Sequence, residues 1–133
     1  MPGMLSLVYM SEKHILIVED EADIREALTE SVIDAGFKVS TAENGALGLE
    51  KALNEKPDLI LLDLKMPVMD GHTALKKLRQ DPWGKDAKVI VLTSMDDVRN
   101  IAESHEGHIT DYIIKGHTSL DEVLNKIRLV AFV

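Results

Sequence analysis

The sequence predicts an α/β fold in which helices cover both faces of a parallel sheet. Short apolar runs alternate with helix-like segments five times along the 133 residues. These runs are continuous rather than interrupted at every second residue, which is typical of strands buried on both faces. Short strand–helix units force parallel strands and right-handed crossovers, so the expected architecture is a doubly wound sandwich. The chain length fits one domain.

The strands are predicted from their apolar runs. The first, His14–Val18, ends where acidic residues begin, and the third, residues 58–64, is the most apolar segment of the chain. The other predicted strands are residues 37–41, 88–93 and 109–114.

The first three helices are predicted from apolar residues spaced three and four apart. Gly36 is placed to end the first helix, residues 22–35, in the left-handed conformation. Pro57 stops the second, residues 46–54. The third begins after Gly71 and is broken at residues 81–84 by Asp-Pro-Trp-Gly.

The last two helices differ in the strength of their pattern. Apolar residues at positions 95, 98, 101 and 102 indicate a short fourth helix, which the polar segment 104–108 ends early. The final helix is clear, because apolar residues repeat at helical spacing over Leu120–Ala131. Ser119 and Glu122 form a capping box at its start. Five helices are therefore predicted.

Composition narrows the class of function. A formal charge of −8 argues against direct contact with nucleic acid, which needs a basic face. No apolar run is long enough to cross a bilayer, so membrane insertion is not expected. The chain has no cysteine and needs no oxidising compartment. Residues 1–12 are expected to be a poorly ordered tail, and residues 13–133 to form the domain.

Carboxylates follow two of the predicted strands. Glu19 and Asp20 come directly after the first strand, and Asp63 lies near the end of the third. Open α/β sheets bind their ligands at the carboxyl ends of the strands. The sequence therefore predicts three acids around one divalent cation at this edge.

Further motifs lie at the ends of the later strands and complete a set. The set consists of Glu19-Asp20, Asp63 with the following Met66-Pro67-Val68-Met69-Asp70-Gly71, Thr93, and Asp111-Tyr112-Ile113-Ile114-Lys115. In order and approximate spacing it resembles the receiver domain of two-component response regulators. The resemblance covers residues 13 to about 131. It implies a flavodoxin-like sheet with strand order 2-1-3-4-5.

The resemblance implies a magnesium site and a phosphoacceptor. Asp63 would accept a phosphoryl group and form an aspartyl phosphate. Asp20, Asp63 and the backbone carbonyl of Lys65 would ligate Mg²⁺, with Mn²⁺ as an alternative ion, while Glu19 would act mostly through metal-bound water. Such hard oxygen ligands suit Mg²⁺, which keeps several waters and bridges to phosphate oxygens.

The resemblance also assigns roles to residues of the last two strands. Lys115 would place its charge on the phosphoryl oxygens, and the Thr93 hydroxyl would hydrogen-bond one of them. Thr93 and Tyr112 would form the switch, with the Tyr112 ring moving inward on activation. Gly116 departs from the family, which usually has a cis-proline after this lysine, so an unusual glycine conformation is expected to make the turn.

The implied function is that of a stand-alone, cytoplasmic phosphoacceptor resembling chemotaxis regulators. A sensor histidine kinase or a histidine phosphotransfer protein would supply the phosphate, and a downstream target protein would bind the phosphorylated form. Such a protein is not a turnover enzyme on an external substrate. Lys65 and Met95 would flank the route of a hydrolytic water and shield the phosphate.

Three alternatives remain. A pseudo-receiver would be a binding module without a phosphate cycle, which only Gly116 favours. The chain could also be a receiver excised from a longer regulator. An aspartate-nucleophile phosphohydrolase would carry a second Asp two residues after the nucleophile, where this chain has Lys65.

Overall fold

The sheet has the predicted number of strands and the predicted order. The computed structural model describes residues 12–97 and 109–132. Five parallel strands lie in the order β2-β1-β3-β4-β5, which is the flavodoxin-like arrangement. The strands are β1 His14–Val18, β2 Lys38–Ala42, β3 Leu59–Asp63, β4 Val89–Thr93 and β5 Asp111–Ile114. The tail predicted at the amino terminus lies almost wholly outside the described residues.

The number of helices corrects the prediction. The described residues contain four α-helices rather than five: α1 Ala22–Asp34, α2 Gly45–Glu55, α3 Gly71–Arg79 and α4 Leu120–Ala131. The segment Met95–Asp97, where a short helix was predicted to begin, is a 3₁₀ turn. Ser94 stabilises this turn through two hydrogen bonds to Asp97. Its carbonyl oxygen accepts from the Asp97 N–H at 3.1 Å, and its hydroxyl donates to Asp97 Oδ2 at 3.1 Å. The remainder of that predicted helix lies outside the described residues.

The junction between α1 and β2 shifts the second strand by one residue from its prediction. Gly36 has φ +98° and ends the helix in the left-handed region, as predicted. The Phe37 N–H donates to Val32 O at 3.3 Å, so this buried residue belongs to the turn and not to the ladder. Pairing with β1 begins at Lys38 opposite His14 and ends at Ala42 opposite Val18.

Helices cover both faces of the sheet. One core cluster joins Ile15 and Ile17 of β1 to apolar residues of α1 and α4, and a second joins Leu16 and Val18 to α2 and α3. Alternate side chains of a strand point to opposite faces, so β1 contributes to both clusters. β3 and β4 are buried at every position. None of the helices in the described ranges is long and apolar enough to span a membrane.

Helix starts differ in how they are held. Asn44, Asp70 and Ser119 cap α2, α3 and α4, each accepting a hydrogen bond from a backbone N–H three residues on. Glu21 occupies the same position before α1, and its side chain makes no capping bond. A side-chain cap therefore does not contribute to holding the loop between β1 and α1.

Candidate metal and acceptor site

Three carboxylates meet at the carboxyl edge of the sheet. Val18 of β1 pairs with Leu62 of β3, so the residues that follow them, Glu19 and Asp63, are neighbours. One carboxylate oxygen from each of Glu19, Asp20 and Asp63 lies within 4.8 Å of the others. The structure thus brings together the three acids predicted to hold a cation. α3 packs against this edge through Gly71, where a Cβ would lie 2.1 Å from Asp63 O.

Glu19 is the most deeply buried of the three acids, with 0% of its surface exposed. Its Oε2 accepts from Asp20 N at 3.1 Å. Its Oε1 forms an ion pair with Lys115 Nζ at 2.6 Å. Among the residues described, it is the one buried side-chain polar atom without a hydrogen bond. The three carboxylates, with oxygens within 4.8 Å of one another, offer the hard oxygen ligands that Mg²⁺ prefers, so the residues present fit that ion.

Lys115 joins the acids from the end of β5. Its Nζ donates to Asp63 Oδ2 at 3.0 Å, and its backbone N–H donates to Thr93 O at 2.8 Å. Gly116 follows with φ +78°, and every peptide bond described is trans. The turn is thus made by a left-handed glycine, as predicted, and the lysine reaches the site without a proline.

The charges of the cluster shift one another's pKa. Burial, reinforced by the neighbouring Asp63, raises the pKa of Glu19 to about 8 against the opposing effect of Lys115. Burial also raises the pKa of Asp63, but hydrogen bonds from Glu19 and Lys115 outweigh it and leave that pKa below its ordinary value. Of these two carboxyl groups, Glu19 is therefore the more easily protonated and Asp63 the more easily ionised.

Thr93 and Tyr112 occupy different environments. Thr93 ends β4 and is buried, and its hydroxyl donates to Ser94 O at a long 3.3 Å. Such a weak bond leaves the hydroxyl available for a better acceptor. The Tyr112 side chain is 40% exposed, with Lys126 Nζ lying 5.8 Å from its ring centroid. Lys126 also pairs with Asp111 at 2.9 Å. The ring therefore lies outward.

Lys65 lies at the mouth of the site. Its backbone N–H donates to Asp63 Oδ1 at 3.2 Å. Its side chain is 74% exposed, and Nζ pairs with Asp97 Oδ2 at 2.9 Å. This ion pair crosses from the loop after β3 to the turn after β4. The Lys65 carbonyl as a metal ligand remains a prediction.

Arg25 is a residue that no sequence motif indicated. Its Nη1 donates to Glu19 O at 2.9 Å and to Asp20 O at 3.3 Å. A signal was present in the sequence, since Glu21 is a poor capping residue and a basic residue follows one turn into the helix.

Comparisons with known proteins agree with this arrangement. A family profile described as the response regulator receiver domain matches residues 15–128. Chemotaxis protein CheY of Bacillus subtilis is 36% identical over 85% of this chain and 92% of its own length. The solved chemotaxis protein CheY4 of Vibrio cholerae has a TM-score of 0.82 at 28% identity, covering 90% of this chain and 99% of that one.

Several relatives are longer proteins. The DNA-binding dual master transcriptional regulator RpaA of Synechocystis is 32% identical over 86% of this chain. The matched part is 47% of RpaA, so the chain spans about half the length of this relative.

Proposed function

Because this chain belongs to the response regulator receiver domain family, we propose that it is a Mg²⁺-dependent phosphoacceptor whose acceptor is Asp63. The family match confirms the resemblance predicted from the motifs at the strand ends. Phosphorylation and the identity of the ion are the proposal. The observation that carries it is the position of Asp63, buried at the tip of β3 between two further acids and a lysine at 3.0 Å.

The transfer is a displacement at phosphorus. A carboxylate oxygen of Asp63 forms a bond to the phosphorus of a phosphohistidine as the P–N bond of the donor breaks, and the electron pair of that bond leaves with the donor nitrogen. Its lowered pKa keeps Asp63 in the anionic form that this attack requires. Magnesium, when bound, neutralises charge on the phosphoryl oxygens.

Asp20, Asp63, Glu19 and the Lys65 carbonyl are the groups proposed to hold the ion. Binding of the ion would favour the ionised form of Glu19, whose raised pKa otherwise favours the protonated form. Lys115 then neutralises a phosphoryl oxygen with the ammonium that now contacts Asp63. Lys115 stays protonated, because its attraction to the carboxyl groups of Glu19 and Asp63 outweighs the effect of burial and raises its pKa.

The switch is proposed to begin at Thr93. Its buried hydroxyl would exchange the long bond to Ser94 for a bond to the phosphoryl group. Tyr112, which now lies outward beside Lys126, would follow by turning toward the space that Thr93 leaves. The two alternative arrangements of Thr93 and Tyr112, before and after phosphorylation, would be the two states between which such a switch changes.

The partners are proposed on the family relationship. A sensor histidine kinase or a histidine phosphotransfer protein would donate the phosphate, and a target protein would read the switched surface, in the cytoplasm and without turnover of an external substrate. Direct contact of this domain with nucleic acid is not proposed, since the charge of −8 opposes it. The description of RpaA as DNA-binding applies to a protein about twice as long as the matched region.

Intact mass tests the proposal. Incubation with Mg²⁺ and acetyl phosphate should add the mass of one phosphoryl group, and Asp63→Asn should abolish the gain. Chelation of the ion should do the same in the wild-type protein. An undiminished gain in Asp63→Asn would place the acceptor elsewhere.

A further inference from the structure

We propose that Arg25 is a positioning residue that fixes the loop carrying Glu19 and Asp20 in the form that receives a divalent cation. The inference rests on the proposed Mg²⁺ site and adds a residue to it. Its basis is the pair of hydrogen bonds from one guanidinium nitrogen to Glu19 O at 2.9 Å and to Asp20 O at 3.3 Å.

The two carbonyls belong to the peptide groups on either side of the Asp20 α-carbon. Holding both peptide planes fixes the backbone dihedrals of Asp20, and an aspartate side chain has only two further torsions. These bonds therefore restrict where the Asp20 carboxylate can lie relative to Asp63. Glu19 is fixed from its other side, because its N–H donates to Ala42 O at 3.0 Å.

The helix that follows lacks the usual means of holding its start. Of the four α-helices described, α1 is the one whose capping residue makes no side-chain hydrogen bond. A cap on α1 would have tied Glu21 to the helix and the loop with it. Arg25, in the first turns of the helix, connects the helix to the loop instead, through its hydrogen bonds to Glu19 O and Asp20 O. Its own backbone N–H donates to Glu21 O at 2.9 Å, so the side chain that reaches back starts from a fixed point.

The direction in which Mg²⁺ affinity changes when Arg25 is replaced distinguishes a positioning role from a purely electrostatic one. A positive guanidinium near a cation site repels the cation, so loss of that charge alone would tighten Mg²⁺ binding. Loss of positioning would weaken it, because outer groups that orient metal ligands are typically worth 10- to 100-fold in affinity. The two explanations thus predict opposite changes.

The experiment measures Mg²⁺ affinity by calorimetry and stability by urea unfolding, followed through the fluorescence of Trp83. Arg25→Met keeps the apolar stem and removes the donors. Lys88→Met is the matched control, since Lys88 Nζ donates to Val130 O at 3.0 Å, next to the opposite edge of the sheet. We expect Arg25→Met to raise the Kd for Mg²⁺ about tenfold. Lys88→Met should lose stability while its Kd stays within about twofold of wild type.

Arg25→Lys keeps the charge but has a shorter side chain, so its ammonium should reach the two carbonyls less well, and its Kd should fall between wild type and Arg25→Met. A Kd in Arg25→Met equal to or below that of wild type would overturn the proposal. Should Arg25→Met not fold, a wild-type Kd in Arg25→Lys would overturn it equally. Wild-type protein that binds no Mg²⁺ would instead refute the proposed function, so the two failures are distinguishable.

Discussion

The Nζ atom of Lys115 lies 3.0 Å from Oδ2 of Asp63, so the proposed phosphoacceptor is already half of an ion pair. The same ammonium lies 2.6 Å from Glu19 Oε1. A cation or a phosphoryl group that binds at this edge must therefore replace part of the existing ion pairs between Lys115 and the two acids. The effect of a substitution at this site depends on whether the group removed is paired with Lys115, with the ion or with the phosphoryl group.

Asp20 should control the stabilisation by Mg²⁺. An ion at about 100 times its Kd raises the free energy of unfolding by roughly 2.7 kcal/mol. Relief of repulsion between the acids is the physical cause, so Asp20→Ala should lose most of the thermal shift that Mg²⁺ gives to the wild-type protein. Differential scanning fluorimetry with and without Mg²⁺ measures it. A shift of the same size in both proteins would exclude Asp20 as a ligand.

Without Mg²⁺, stability should fall as the pH rises. The pKa of Glu19 is about 8 in the fold and 4.5 as an ordinary carboxyl, so folding binds a proton between these values. The stabilisation is complete below the lower value and is lost as the pH rises through the upper one. The slope is at most roughly 1.4 kcal/mol per pH unit. The lowered pKa of Asp63 affects stability only in more acidic solution.

Urea unfolding in the presence of a chelator measures this dependence. Glu19→Gln keeps the size of the side chain and cannot titrate, so its midpoint should vary much less between about pH 5 and pH 8. Equal pH dependence in the two proteins would show that the proton is held elsewhere.

Lys65 and Met95 should slow the loss of phosphate from Asp63. The side chain of Lys65 forms an ion pair with Asp97, and Met95, two residues before Asp97, is exposed. Lys65→Asn combined with Met95→Glu removes both covers and should speed hydrolysis several-fold, as followed by quantitative mass spectrometry. Asp97→Asn is the control, because it breaks the ion pair and keeps Lys65. Faster decay in this control as well would assign the effect to the pair and not to the covers.

Val68 should be a point of backbone strain. It has φ +69° and is 84% exposed, so a β-branched residue occupies the left-handed region without compensating burial. That region costs a residue with a Cβ roughly 1–2 kcal/mol. Val68→Gly should therefore be more stable than Val68→Ala by up to about 1 kcal/mol in urea unfolding. At Ile33, which is exposed on α1, the order should be reversed, so that Ile33→Ala is more stable than Ile33→Gly. Greater stability of Val68→Ala would argue against strain.

The elements predicted most accurately are those whose ends are marked by residues within or next to the element. β1 was predicted to the residue because its apolar run ends at Glu19, and α4 because Ser119 begins it and its apolar spacing is regular. The three acids were predicted to meet because parallel strands end at one edge. The family's strand order supplied the neighbours of each strand, and the sheet confirms it.

The remaining features depend on contacts between distant segments. Phe37 looks like a strand residue, and only its bond to Val32 shows that it belongs to a turn. The ion pair of Lys65 with Asp97 joins two loops, and no local pattern indicates it. The bonds of Arg25 are to backbone carbonyls, which every residue has, so beyond the poor cap at Glu21 little in the sequence singles this residue out.

The register of β3 limits how this protein can change in length. Leu62 lies opposite Val18 on one side, and Asp63 lies opposite Leu92 on the other. One residue inserted within this strand would turn every later side chain to the other face, so a leucine would replace the acid at the edge. One residue inserted near Pro57, before the strand, would leave the register intact. Divergent copies of this gene should therefore gain and lose residues at that end and keep the length of β3 constant.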